Sequence, residues 1–478
     1  MAKKLIPFIA AFIFSISAYA DKDALNDSID RLNDDTWAVA LSIWNWAEPG
    51  YQETRSSALL ADTLKKAGFT IETGVADIPT AFTATYGSGE PVIGILGEFD
   101  ALPGLAQDAV STRSPREASE NGYGQACGHH LFGSASMLAA MAIAEQIKAG
   151  EQPGTIRFYG TPAEEGGAAK VFMVRNGLFD DVDIMLHWHP GASNGAGDPS
   201  NLSRIAAKFR FYGKAAHAAG APEQGRSALD AVELMNHAAQ LMREHTPEYT
   251  RIHHIITSGG AAPNVVPDFA EVYYYVRHPD ASVVKDLYRR LLLCADAGAL
   301  ATETRVEVEF LAGTHNLLPN DVLSRVTLGN LQELADLSYT DEEMDFARTI
   351  QKTLASPKPI ESIKDVNDSK GETSKGSTDV GDVSWVVPTT GLRTACWVPG
   401  TPAHSWQAVA AGGTEIGRKG MILAARVLAA TAWDIAHDEK LMADAKAELN
   451  ERLEDEQYSA MLEPGQKAPL TYRDAPTR

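Results

Sequence analysis

Pro91-Val92-Ile93-Gly94-Ile95-Leu96-Gly97 is the stretch that decides the fold. Its unbroken apolar character suits a central strand covered on both faces, where period-two alternation is not required. Two more such strands are expected at Thr155 to Tyr159 and Val182 to Leu186. Between the first two lies Leu131 to Ile147, rich in Ala, Met and Leu without a polar face, which suits a helix buried against a sheet. Strands alternating with helices of this length predict an α/β fold with an open, mostly parallel sheet, whose functional groups collect at the carboxyl ends of the strands. Upstream, Leu32, Trp37, Leu41, Ile43, Trp44 and Trp46 give an amphipathic opening, and Leu59 to Ala67 a second helix.

From about Ile205 the texture changes to shorter, alternating strands. They are expected at Ala207 to Phe211, Arg251 to Ile256, Ala270 to Arg277 and Arg305 to Phe310, interleaved with helices at Ala228 to Arg243 and Val283 to Leu300. That β-α-β-β-α-β order predicts an inserted α+β, ferredoxin-like domain over 205–311, within a catalytic domain formed by 21–204 and 312–478. Lys358 to Lys375 reads as an exposed polar loop, and Gly420 to Ile435 as a closing helix.

The first twenty residues read as an export signal. Lys3 and Lys4 form a basic head, Leu5 to Ile16 an apolar run, and Ala18-Tyr19-Ala20 a small-residue cleavage site. The apolar run falls short of the about 20 residues that a span needs. The mature chain is therefore expected to begin near Asp21 and to work in a periplasm or outside the cell, with no membrane attachment after cleavage. The 478 residues are 44% hydrophobic and 22% charged, enough for two domains with a sizeable core. A net charge of −21 argues against nucleic acid and anionic lipid as partners. Three cysteines, Cys127, Cys294 and Cys396, are too few and scattered for a disulfide framework.

Metal-ligating side chains recur where strands should end. Cys127-Gly-His129-His130 sets a thiolate and an imidazole two residues apart, close enough to share or bridge ions; a buried Cys beside a solvent-facing His is the bland alternative. Pro162-Ala-Glu164-Glu165-Gly-Gly offers adjacent carboxylates that point different ways, so that one can ligate while its neighbour handles a proton. His187 and His189 flank Trp188 after the third strand, and His404 follows a Pro-containing turn, preceded by Asp379 and Asp382. Thiolate, imidazole and carboxylate together suit zinc or manganese, and a dinuclear centre would serve amide hydrolysis. No Gly-x-Ser-x-Gly elbow, phosphate-binding Gly-x-x-x-x-Gly-Lys loop or well-placed dinucleotide fingerprint competes.

Taken together, Gly97-Glu-Phe-Asp100-Ala-Leu-Pro, Gly124-Gln-Ala-Cys127-Gly-His129, Pro162-Ala-Glu164-Glu165-Gly-Gly, Trp188-His189-Pro190 and Gly400-Thr-Pro-Ala-His404-Ser-Trp resemble the M20 metallopeptidases, in their amidohydrolase branch. The resemblance runs in order from about Trp44 to Ala430 and takes in Lys170 to Arg175, Ala215 to Ala218 and Gly225 to Val232. It implies two divalent ions, zinc or manganese with nickel or cobalt as alternatives, held by Cys127, His129, Glu165, His189 and His404. His187 is the alternative to His189, because branches of the family differ there. It further implies Glu164 as general base and Asp100 as the carboxylate that orients a ligand, while His130 stands where relatives carry Asp or Asn. His217, Asn264 and Arg277 would meet the substrate, Arg277 as a fork for a carboxylate. The implied substrates are N-acyl amino acids, p-aminobenzoyl-glutamate first among them, with dipeptides or other acyl amino acids as alternatives. The implied partners are a second copy of the chain, joined through the inserted lid, and a paralogous A subunit. A periplasmic peptide-binding protein without catalysis, and a metal site that only braces the fold, are the competing readings.

Overall fold

The computed structural model describes residues 7–117, 119–197, 199–454 and 456–474, with side chains described from residue 22 onward. The side chains of the whole expected export signal therefore lie outside the description, and its first six residues lie outside it altogether. The first helix, α1 (Pro7–Trp46), is followed by α2 (Thr54–Lys66), which presents Leu60 and Leu64 to the core. Strands β1 (Thr70–Thr73), β2 (Phe82–Gly87) and β3 (Val92–Gly97) come next, then two short strands, β4 (Leu102–Pro103) and β5 (Tyr123–Gly124). Helix α3 (His129–Ala149) begins two residues earlier than its apolar run, so its first turn carries the motif histidines. It is buried almost all round, packed on β3 and between α1 and α11 (Glu415–Ala436).

After α3 the chain forms β6 (Thr155–Gly160), α4 (Ala169–Arg175), β7 (Ile184–Gly191) and β8 (Asn194–Ala196). The sheet closes with β13 (Val366–Asp368) and β14 (Thr389–Ala395), the latter preceded by α9 (Val380–Ser384) and followed by α10 (Trp406–Gly412). The eight strands lie in the order β1-β2-β6-β3-β7-β14-β8-β13. The central pairs β6-β3, β3-β7 and β7-β14 are parallel, and antiparallel pairs flank them. This is the open, mostly parallel α/β sheet that the apolar runs predict. Glu98 to Asp100 leave the carboxyl end of β3 beside the Thr161 to Glu165 turn that follows β6, since Thr161 N–H donates to Gly97 O at 2.8 Å.

The second layer system is the four-stranded antiparallel sheet β10-β11-β9-β12, from β9 (Ser203–Tyr212), β10 (Arg251–Ser258), β11 (Phe269–His278) and β12 (Arg305–Thr314). Helices α5 (Ala228–Met242) and α6 (Ala281–Thr302) cover one face through Val232, Met235, Leu287 and Leu291, which forms a core separate from the main one. Strand and helix order are those of the expected ferredoxin-like unit.

Three features depart from the sequence reading. The polar stretch 358–375 is not wholly a loop, because β13 pairs with β8 there. Helices α7 (Asp321–Leu334) and α8 (Asp341–Gln351) follow the lid and α12 (Glu439–Leu453) follows α11; α8 opens with a Thr340–Glu343 capping box. The tail after α12 turns back over the sheet: Met461 O accepts from Gly313 N–H at 2.9 Å, and Gln466 Nε2 donates to Leu311 O at 2.7 Å. Among the described residues no helix is long and apolar enough to cross a membrane.

Candidate metal centre

Residue Gly128 fixes the turn that carries two of the expected ligands. It sits at φ +78°, and a Cβ there would come within 2.9 Å of Pro190, so only glycine lets the α3 N-terminus close on the end of β7. That approach places Cys127 Sγ 3.4 Å from His189 Nε2. His189 spends its other nitrogen on its own strand end, Nδ1–H donating to Pro190 O at 2.7 Å, which leaves the Nε2 lone pair facing Cys127. His129 is oriented the same way: Nδ1–H donates to Asp100 Oδ1 at 2.8 Å, and Nε2 faces inward.

Asp100 does two jobs at once, because its Oδ2 accepts from Glu165 N–H at 2.9 Å. One carboxylate at the end of β3 thus aligns both the α3 turn and the turn after β6. That second turn is held from behind as well: Ala163, at φ +56°, donates its N–H to buried Glu53 at 2.8 Å. Glu165 Oε1 lies 3.1 Å from His404 Nε2. His404, at φ +58°, is tied down by its N–H donating to Ala126 O at 3.0 Å, next to Cys127.

Among the described residues the ligating atoms form three compact sets: Glu98 with His129 and Glu164, and two made of the expected ligands, Cys127 with His129 and His189, and Cys127 with Glu165 and His404. Cys127 belongs to both of the last two sets and would be within reach of an ion held by either. Three atoms facing this space, Glu98 Oε2, His129 Nε2 and Glu165 Oε1, are buried and form no well-aligned hydrogen bond, although Glu98 Oε2 lies 3.2 Å from His129 Nε2 and Glu165 Oε1 3.1 Å from His404 Nε2. Buried polar atoms normally find one, so the orphans fit a cation as the missing partner. Soft sulfur, imidazole and carboxylate donors also match borderline divalent ions. All five expected ligands are brought together.

His187 is not among them. It lies one pleat back on β7, about 6.6 Å from the His189 position along the strand, and its ring packs over Gly391 on β14, where a Cβ would sit 2.3 Å from Nε2. Burial, then His189, push its pKa down to about 3, so it stays neutral. His130 also points away, with Nε2 3.0 Å from Gly412 O. His217 and Asn264 stand on the exposed lid; among the described residues no hydrogen bond or ion pair links either to the cluster. Arg277, stacked over Tyr275 at 5.3 Å with its Nε buried and unpartnered, feels the charges of Glu164 and Glu165.

Electrostatics divides the two adjacent glutamates. Burial, then the charges of Glu165 and Glu98, push Glu164 well above the usual carboxylate range. Glu165 goes the other way: although burial opposes it, the contact with His404 holds it low. Burial and Glu165 raise the Cys127 thiol, but His189 and His129 prevail and bring it down to about 6, which favours the ligating thiolate. Two carboxylates in one turn with pKa values driven apart are suited to different roles.

Motif reading missed the support behind this cluster. Lys170, fully buried, donates to Glu98 at 2.7 Å and Asp379 at 2.6 Å, and Glu98 Oε2 lies 3.2 Å from His129 Nε2. Glu98 stands two residues before Asp100 at the same strand end, which was the available signal. The tail residues Tyr472 and Arg473, both touching Glu165 O, gave no signal.

Comparison with known proteins agrees with the geometry. A peptidase dimerisation domain model of the M20 type matches residues 201–301, the lid. The B subunit of p-aminobenzoyl-glutamate hydrolase from Escherichia coli strain K12 is 40% identical over 464 residues, covering 91% of this chain and 95% of its own. This chain belongs to the M20 metallopeptidase family. The Xaa-Arg dipeptidase of Mus musculus is 29% identical over 90% of this chain and 92% of its own. A dinuclear metal-binding M20 peptidase from Bacillus subtilis shares the fold at a TM-score of 0.55 and 16% identity, with 85% of this chain and 99% of that one covered. The M20 chain is accordingly a metal-dependent amidohydrolase.

Proposed function

We propose that this M20 enzyme hydrolyses the amide of N-acyl amino acids, with p-aminobenzoyl-glutamate as its substrate and p-aminobenzoate and glutamate as products. The observation that carries the reading is the pairing of a five-residue ligand cluster with Glu164, a buried carboxyl of raised pKa in the same turn. The 40% identical relative supports the choice of substrate.

Cys127, His129, Glu165, His189 and His404 would hold two divalent ions, zinc or manganese by the chemistry of their donors. Bound there, such ions acidify water and polarise a carbonyl oxygen. Glu164 takes the proton as the water oxygen adds to the amide carbon, and returns it to the departing nitrogen as the C–N bond breaks. Its raised pKa suits both halves of that exchange. Asp100 holds the His129 tautomer and the Glu165 backbone in place. Arg277 offers a bidentate fork to the substrate's α-carboxylate.

A competing binding protein would have no use for a proton-carrying Glu164 beside a ligating Glu165. His217 and Asn264, exposed on the lid and remote from the cluster of their own chain, are assigned to the substrate contact of a second copy docked through the lid. We also assign residues 1–20 to a cleaved export signal, which sets the enzyme in the periplasm or outside the cell. The test is a hydrolysis panel of p-aminobenzoyl-glutamate, N-acetyl amino acids and dipeptides with metal-loaded protein. Release of glutamate from the first substrate at the highest kcat/KM is expected; metal-loaded protein that cleaves none of them is a binder or a braced scaffold.

A further inference from the structure

Three guanidinium groups gather beside Glu164 and Glu165, and the proposed reaction uses only Arg277. Arg204 on β9 and Arg277 on β11 are direct cross-strand partners. They stack on the same ring, Tyr275, at 4.8 and 5.3 Å. Like charges placed opposite one another cost stability, and here the cost is raised by burial: Arg204 is only 6% exposed. The Nε atoms of both are buried without partners.

The third guanidinium comes from the tail. Arg473 stacks on Tyr472 at 4.8 Å, donates to Glu165 O, and likewise leaves its Nε buried and unpartnered. The two rings that the three stack on, Tyr275 and Tyr472, converge on one residue. A Cβ on Gly166 would lie 3.0 Å from Tyr275 Oη, 3.0 Å from the Tyr472 ring and 3.4 Å from Tyr273 Oη, so lid and tail meet on the residue next to Glu165. The tail is fastened there by Lys208 Nζ, donating to Tyr472 O at 2.9 Å from the lid sheet. Among the described residues no carboxylate forms an ion pair with Arg204, Arg277 or Arg473. The acidic groups that act on them from a distance are Glu164 and Glu165, which the reaction already occupies, and Asp379, which is paired with Lys170.

Buried cations lacking a counter-charge persist where a ligand supplies one. We propose that Arg204 and the tail residue Arg473 determine specificity by receiving a second, side-chain carboxylate of the substrate's amino acid, while Arg277 receives its α-carboxylate. The preferred substrates are then N-acyl derivatives of dicarboxylic amino acids, and the C-terminal tail is part of the substrate pocket. This rests on the amidohydrolase reading and deepens it. Charge is what the pocket reads, because three forks offer more donors than one carboxylate can accept.

The test compares p-aminobenzoyl-glutamate with p-aminobenzoyl-glutamine, which differ in charge at nearly constant shape, using the metal-loaded full chain and its Arg473→Gln, Arg473→Lys and Arg204→Gln variants. Arg473→Gln is expected to lower the glutamate-to-glutamine ratio of kcat/KM by about ten-fold or more, chiefly through KM. Arg473→Lys should restore part of it, keeping the charge but not the fork. Since Arg204 is buried and its variant can fail to fold, binding of free L-glutamate to the Arg473 variants, measured by calorimetry, provides an independent readout. A ratio that stays put, or an equal fall on both substrates, overturns the proposal and leaves the hydrolase reading standing. Wild-type protein that cleaves neither amide sinks the hydrolase reading; the pocket then stands only if L-glutamate binds in preference to L-glutamine and Arg473→Gln abolishes that preference.

Discussion

At the residue scale, Glu164 and Asp100 have different parts in the proposed reaction: the first, a buried carboxyl of raised pKa, would carry a proton, and the second aligns the His129 ring and the Glu165 backbone by hydrogen bonds. Glu164→Gln removes the proton carrier and keeps the ligands, so kcat should fall by about 10² to 10⁴ while metal content by elemental analysis stays near that of the wild type. Loss of metal together with activity would move Glu164 into the ligand set. Asp100→Asn frees the His129 ring and the Glu165 backbone at once; metal affinity should drop by about 10- to 100-fold in a competitive chelator titration. An unchanged affinity would deny Asp100 its orienting role. The candidate ligands were legible as soon as Cys127, Glu165, His189 and His404 could be set at strand ends, and the structure brings them together. The choice between His187 and His189 was not legible from spacing, since both lie on one face of β7, and Gly391 on the neighbouring strand is what gives the His187 ring its place. Glu98 and Lys170 were hidden for another reason: an ion pair between residues 72 positions apart leaves no local pattern.

At the scale of elements, the close approach of the α3 N-terminus to the end of β7 is the join on which the cluster depends. Gly128→Ala adds a Cβ against Pro190 and forces a left-handed backbone on alanine, which costs about 1 to 2 kcal/mol for the conformation alone. Denaturant melts should show at least that loss, and metal binding should weaken in the same variant because Cys127 and His189 are driven apart. A variant as stable and as metal-avid as the wild type would mean that the turn is not held as described. Apolar runs made β3, β6, β7 and α3 readable, because burial on both faces writes itself into composition. The tail could not be read that way. Residues 456–474 carry no periodicity, and their position follows from scattered anchors: hydrogen bonds to β12, the lid and Glu165, and the burial of Met461 and Tyr472.

On the scale of the whole molecule, a chain of net charge −21 nonetheless sets Arg204, Arg277 and Arg473 where they feel the charges of Glu164 and Glu165. Bulk charge argues against nucleic acid and anionic lipid as partners, yet says nothing about a small anionic substrate, which meets a few local groups and not the summed charge. Lowering the pH should strip the metal, since protons compete with the ions for the ligating lone pairs and the Cys127 thiolate, with its pKa of about 6, is lost on acidification. Metal content after equilibration across a pH series is the check: retention should be full at neutral pH and fall on acidification, whereas loss on raising the pH toward neutrality would have the wrong sign. The most direct measurement is diffraction from crystals of the metal-loaded enzyme, with anomalous scattering at the metal edge. Two peaks flanking Cys127 Sγ are predicted, one against His129 and His189 and the other against Glu165 and His404. Peaks elsewhere, or an active enzyme with none at Cys127, would contradict the account.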